Sequence, residues 1–276
     1  MRRSRDAEGV DLREVKGFVM DVDGTLVHRA GDEIHVQPGA VEVFSRIRAS
    51  GRRLALFTNG SHESPAWFAQ GLREAGLDVT DDEMLTPLRS VQAYLRMRRI
   101  RGPVLAFATA GAQRFLTSGG VSLAGDDGPV GAVFVAHADS VDFDKLERAA
   151  RAVIGGAKLL TASYVPAYAG ANGPILSRGA MTAAAIAKAS STRPIVVGKP
   201  SHAAVRTVEQ HFGFPARELC VIGDDLSMDV RLGLMGGAQT VLCSSGITGV
   251  VDLERVPERH RPHAVVGGIG ELLDWL

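Results

Sequence analysis

Three apolar runs in this chain stop abruptly on polar clusters. GFVM is followed by Asp-Val-Asp-Gly-Thr (21–25), LALF by Thr-Asn-Gly (58–60), and LCVIG by Asp-Asp (224–225). Runs of four or five apolar residues bounded by turn formers read as strands buried on both faces. Between them, apolar residues return at helical spacing: Val43, Phe44 and Ile47 within 39–50, then a second helix over 64–76 closed by Gly76. Toward the C-terminus a helix over 201–213, the strand 219–222, a helix over 226–235, the strand 239–243 and a final strand and helix repeat the alternation. Short strands alternating with amphipathic helices form βαβ units, so the expected fold is α/β, a doubly wound parallel sheet. Ligands of such sheets bind beyond the carboxyl ends of the strands, where the polar clusters fall.

The middle of the chain has its own alternation, with strands expected at 103–109, 130–136 and 157–162 and helices at 111–118, 142–154 and 179–189. It carries few clustered carboxylates. It is therefore read as an inserted α/β module over 86–188, with the core formed by 1–85 and 189–276. Gly-Asp-Asp recurs at 125–127, where the following Gly128-Pro129 marks it as a hairpin turn. No internal repeat is found.

Composition narrows the function classes. Thirty-one basic residues balance 31 acidic ones, so net charge points to neither nucleic acid nor an anionic membrane. No run of 18 apolar residues exists, and the basic start MRRSRDAEGVDLREV lacks the apolar core of a signal peptide. Both cysteines, Cys220 and Cys243, lie in apolar runs and read as buried thiols, in keeping with a cytoplasmic protein.

Three readings of DVDGT compete. A calcium loop requires glycine where Leu26 stands and glutamate where Asp32 stands, so it fails. A simple Asp-Gly turn needs nothing further. A phosphoryl-transfer site needs a carboxylate nucleophile, a divalent cation between the two anions, donors and a cation for the phosphoryl oxygens, an acid and base, and control of water. Each has a candidate here. Asp21 and Asp23 follow the first strand, Thr58 and Asn59 the second, Lys199 the apolar run 195–197, and Asp224, Asp225 and Asp229 the strand 219–222. Asp23 suits the acid–base role because a carboxylate two residues away raises the cost of ionising both. A P-loop at Gly198-Lys199 is excluded by Arg193 and Pro200 in place of the required glycine and hydroxyl residue. The conjunction of four clusters in this order decides for phosphoryl transfer.

With these motifs the chain resembles the haloacid dehalogenase superfamily of hydrolases: DVDGT matches the first motif, Thr58-Asn59 the second, Lys199 the third and GDDLSMD (223–229) the fourth. Thirty-seven positions separate Asp21 from Thr58, and 141 separate Thr58 from Lys199. That spacing leaves room for a cap only between the second and third motifs, as in the class with a C2-type cap, the NagD-like or 4-nitrophenylphosphatase group. The resemblance implies a magnesium-dependent phosphatase of a small phosphorylated metabolite. Asp21 would be nucleophile and Mg2+ ligand, and Asp23 acid and base with its main-chain carbonyl on the metal. Thr58, Asn59, Gly60 and Lys199 would bind phosphate, Asp224 would ligate the metal, and Asp225 and Asp229 would stand behind it. Relatives often carry an Asn-x-Asp segment in the cap; here the stretch is TASYVPAYAGANGPILSRGAM (161–181), which makes Tyr164, Tyr168, Asn172 and Arg178 the candidates for leaving-group recognition. A homodimer through the cap is left open. The rival reading is a regulatory protein that binds a phosphorylated metabolite on the same fold; the intact set Asp21, Asp23, Lys199 and Asp224 speaks against it.

Overall fold

The structure, a computed structural model, describes residues 12–31, 33–168, 175–249 and 253–276. Contacts divide the chain into two compact units, one comprising the chain up to Thr58, Phe68–Leu85 and Val205–Leu276, the other Asn59–Trp67 and Thr86–Ala204.

The chain enters the first unit through β1 (Gly17–Met20), a hairpin of β2 (Val27–Ala30) and β3 (Glu33–Val36), α1 (Ala40–Ala49), β4 (Arg53–Phe57), α2 (Pro65–Glu74) and β5 (Met84–Leu85). There follow α3 (Pro87–Met97), β6 (Val104–Phe107), α4 (Ala110–Ser118), β7 (Ala132–Val135), α5 (Phe143–Ile154), β8 (Lys158–Thr161), β9 (Ala167–Tyr168), β10 (Ile175–Leu176), α6 (Arg178–Ser190) and β11 (Ile195–Val196). The chain returns with α7 (His202–Phe212), β12 (Leu219–Gly223), α8 (Arg231–Gly236), β13 (Gln239–Cys243) and β14 (Ala264–Val266).

In the first unit six strands form one sheet in the order β14-β13-β12-β1-β4-β5, every pair parallel. All four residues of β1 and all five of β12 are buried, as a sheet covered on both faces requires. Phe18 and Met20 face a core with Val43, Phe44 and Ile47 of α1 and Phe68 and Leu72 of α2. On the other face Gly233 of α8 lies so close to Val221 and Thr240 that a side chain would not fit. The strand order runs outward from β1 in both directions, so β1 and its neighbour β12 form the switch point where such sheets open a crevice.

The second unit is a smaller α/β layer with the parallel sheet β11-β8-β7-β6. Leu88 and Val91 of α3 and Leu116 of α4 pack on one face with Phe134 and Leu160. Val153 of α5 and Ile186 of α6 pack on the other with Phe107, Val133 and Val135. The fold is thus the expected doubly wound α/β core with an inserted α/β unit. The second unit begins at Thr86, and its contacts also take in 59–67 and 189–204, which the sequence reading gave to the core. The causes are specific: Ile195 and Val196 pair with Leu160 and Thr161, and the Asn59 carboxamide bonds to the Lys199 backbone.

Two local expectations are corrected. The polar stretch after β1, where no strand was expected, forms an antiparallel hairpin, Val27 opposite Val36 and Arg29 opposite Ile34. Its strands hold only four residues each, too few for alternation to stand out. Residues 125–128 are not a hairpin turn, because they lie on the crossover between the parallel strands β6 and β7. Arg148 ties them down by donating to the carbonyls of Gly125 and Gly128. Both cysteines are free and buried, as expected. No helix among the described residues is long and apolar enough to cross a membrane.

Candidate active site

In the first unit the carboxyl ends of β1 and β12 bring acidic side chains together. The Asp21 N–H donates to the Ile222 carbonyl at 2.9 Å, extending the β1–β12 ladder one residue beyond the strand. Asp224 follows Gly223, the last residue of β12. After it the chain makes a single π-helical turn, Leu226–Val230, that leads into α8. The Asp225 carboxylate caps this turn, accepting from the Ser227 N–H at 2.7 Å, the Ser227 hydroxyl at 2.7 Å and the Met228 N–H at 3.2 Å. The turn carries Asp229 back over the strand end, where its carboxylate accepts from the Asp225 N–H at 3.2 Å. A Cβ on Gly223 would lie 2.2 Å from the Asp229 carboxyl carbon, so only glycine allows this approach.

Oxygens of Asp21, Asp224 and Asp229 all lie within 4.8 Å of one another. Asp224 and Asp229 are each only 2% exposed. Two loops close on Asp224. Its Oδ2 accepts from the Ile247 N–H at 2.6 Å and its carbonyl from the Thr248 N–H at 3.2 Å. From the other side Thr25 donates its hydroxyl to Oδ1 at 3.4 Å. Gly24, at φ +89°, and Gly246 press their backbones on this carboxylate; a Cβ would meet Oδ2 at 2.4 Å and 2.0 Å.

Ionised together, three carboxylates this close would repel one another by roughly 3.5 kcal/mol per pair at an effective dielectric of about 20, before any relief by neighbouring groups. Burial first, then the nearby carboxylates of Asp224, Asp229 and Asp21, push the thiol of Cys243 at the end of β13 well above the ordinary range. An all-oxygen, anionic donor set of this kind suits a hard divalent cation such as Mg2+.

Asp23 stands apart from this group. Its Oδ1 accepts from Arg29 Nε at 2.5 Å, and the side chain is half exposed. Thr58, buried directly after β4, donates its N–H to the Leu85 carbonyl at 3.2 Å.

The second unit holds Asn59, Gly60 and Lys199. The Asn59 carboxamide meets the Lys199 peptide at two points: Nδ2 donates to the Lys199 carbonyl and Oδ1 accepts from its N–H, both at 2.8 Å. Gly198 makes room for this, since a Cβ there would come within 2.6 Å of Asn59 Oδ1 and 2.3 Å of the Ala162 carbonyl. Lys199 is 3% exposed. Of the inserted-unit candidates, Tyr164 and Tyr168 are exposed rather than packed in its core. Arg178 donates to the Asp139 carbonyl at 2.9 Å, and Asn172 lies outside the described residues.

Sequence reasoning placed Asp229 behind the metal; the structure puts it in the same carboxylate group as Asp21 and Asp224. It missed Arg29, Thr25 and the Ile247 N–H. Only a basic residue in weak alternation after the first motif hinted at Arg29, and nothing local marked Ile247.

An enzyme scaffold of this design, with carboxylates at the switch point of a doubly wound sheet, is that of the haloacid dehalogenase-like hydrolases, and the chain belongs to that superfamily. A family model described as haloacid dehalogenase-like hydrolase matches residues 18–122, and a second, HAD-hydrolase-like, matches 196–272. Within the superfamily the chain falls in the NagD-like group. It is 29% identical over 259 residues to the ribonucleotide monophosphatase NagD of Escherichia coli, covering 94% of this chain and 98% of that protein. The solved structure of that NagD superposes with a TM-score of 0.81, covering 93% of this chain and 98% of the other. A p-nitrophenyl phosphatase from Archaeoglobus fulgidus, 25% identical, reaches a TM-score of 0.84 over 95% of this chain and all of its own. The dihydroxyacetone phosphatase of Corynebacterium glutamicum is 25% identical over 257 residues, 93% of this chain and 90% of its own length.

Proposed function

We propose that this chain is a magnesium-dependent phosphatase that hydrolyses a small phosphomonoester through an aspartyl-phosphate. The observation that carries the reading is the group Asp21, Asp224 and Asp229 at the ends of the two central strands. The relatives add to it, since each named above is a phosphatase. Asp21 and Asp224, with the Asp23 carbonyl, would hold Mg2+, and Asp229 would complete the anionic set. The bound ion supplies the positive charge that lets an anionic phosphate approach an anionic nucleophile.

The chain's own residues supply the rest. An oxygen of Asp21 attacks phosphorus in line, the bond from phosphorus to the alcohol oxygen breaks, and that oxygen takes a proton from Asp23. Water then gives a proton to Asp23 as its oxygen attacks the aspartyl-phosphate, and the bond from phosphorus to Asp21 breaks. Thr58, Asn59, Gly60 and Lys199 are assigned to the phosphoryl oxygens, donors and a cation being what that charge requires. Tyr164, Tyr168 and Arg178 are assigned to the leaving group.

Phosphate release from 4-nitrophenyl phosphate tests the reading. Turnover is expected with Mg2+, to stop on chelation and to vanish in Asp21→Asn. Turnover that persists in Asp21→Asn would refute the nucleophile assignment.

A further inference from the structure

The β2–β3 hairpin places one side chain on the proposed acid. Leu26 and Val27 donate their N–H groups to the Val22 carbonyl at 2.9 and 3.0 Å, and Gly24 donates to the Val27 carbonyl at 2.8 Å. This tight loop folds Asp23 back beside the start of β2. Arg29, two residues further along β2 and held in register opposite Ile34, donates Nε to Asp23 Oδ1 at 2.5 Å. Among the described residues Asp23 Oδ2 has no side-chain partner, and the Arg29 guanidinium bonds to no other side chain.

An exposed ion pair of this kind adds little to stability, so its consequence is geometric. A carboxyl on a short side chain at a loop tip has two free torsions, and a charge-assisted bond to one oxygen restricts both. The other oxygen is left for the proton. We infer that Arg29 is a positioning residue for Asp23, holding Oδ1 so that Oδ2 serves the leaving oxygen and later the water. This rests on the assignment of Asp23 as acid and base made above.

The consequence depends on the leaving group. A 4-nitrophenolate departs readily without a proton, whereas an alkoxide does not. Disordering the acid therefore slows alkyl phosphates far more than the activated aryl ester. kcat/KM, which reports the first phosphoryl transfer, is measured with Mg2+ on 4-nitrophenyl phosphate, phenyl phosphate and glycerol phosphate. The proteins are wild type, Arg29→Met, Arg29→Lys and Asp23→Asn, each checked for an unchanged melting temperature.

Arg29→Met is expected to lose about tenfold more on glycerol phosphate than on 4-nitrophenyl phosphate, a fraction of the hundredfold or more that general acids contribute. Phenyl phosphate should fall between, and Arg29→Lys should regain part of the loss. Asp23→Asn should show the same ordering more steeply. An equal loss on all three esters, or none, in Arg29→Met overturns the inference while leaving the acid assignment intact if Asp23→Asn keeps the steep ordering. A flat ordering in Asp23→Asn removes the acid assignment and the inference together.

Discussion

Replacing Asp224 by Asn should make the metal-free protein more stable. Asp224 takes part in two of the three carboxylate pairs whose oxygens lie within 4.8 Å, each costing roughly 3.5 kcal/mol before relief by neighbouring donors. Asp21 is partly exposed, and the Ile247 N–H and Thr25 hydroxyl already offset some of the charge on Asp224. A net gain of about 1–3 kcal/mol is the reasonable remainder, and Asn keeps an oxygen to accept from Ile247. In a chain of this size each kcal/mol moves the melting temperature by about 2–4 °C. Mg2+ separates the two proteins further. At a hundred times its dissociation constant it would stabilise the wild type by about 2.7 kcal/mol, and Asp224→Asn should lose most of that shift. Thermal unfolding with and without Mg2+ reads both effects. If metal-free Asp224→Asn melts below the metal-free wild type, or keeps the full Mg2+ shift, the view of this group as a mutually repelling cluster that a cation relieves is refuted.

Further outcomes follow from other contacts. Asn59→Ala removes both bonds to the Lys199 peptide; a destabilisation of about 1–3 kcal/mol and a lower kcat/KM on 4-nitrophenyl phosphate are expected, and unchanged values in both assays would show the contact to be idle. Burial raises the Glu83 pKa, but the bonds from Arg48 and Thr80 outweigh it and hold the carboxyl below its ordinary 4.5. Its contribution is therefore present above that value and fades as pH falls through the lower folded one, so urea midpoints of wild type and Glu83→Gln should differ most near neutral pH and draw together as pH falls below 4.5. Both thiols are buried and pushed above the ordinary range, Cys220 chiefly by burial and then by Cys243. A thiol reagent at neutral pH should titrate neither in the native protein and both after unfolding.

Much of the site was readable residue by residue. Asp21, Thr58 and Asp224 each end a buried strand, and strand, polarity and turn chemistry are local properties visible within a few residues. Their convergence also followed, because parallel strands with right-handed crossovers deliver their carboxyl ends to one edge. What sequence could not supply is the partner chosen by each side chain once it arrives. Asp229 joins the carboxylate group because a π turn swings it over Gly223. The Asn59 carboxamide binds a peptide 140 residues away, and Thr25 reaches Asp224 across 199. No periodicity encodes such distances. They arise when packing brings surfaces together, and where a glycine at 24, 198, 223 or 246 leaves a side chain's worth of space, the polar group that fills it is set by the folded backbone.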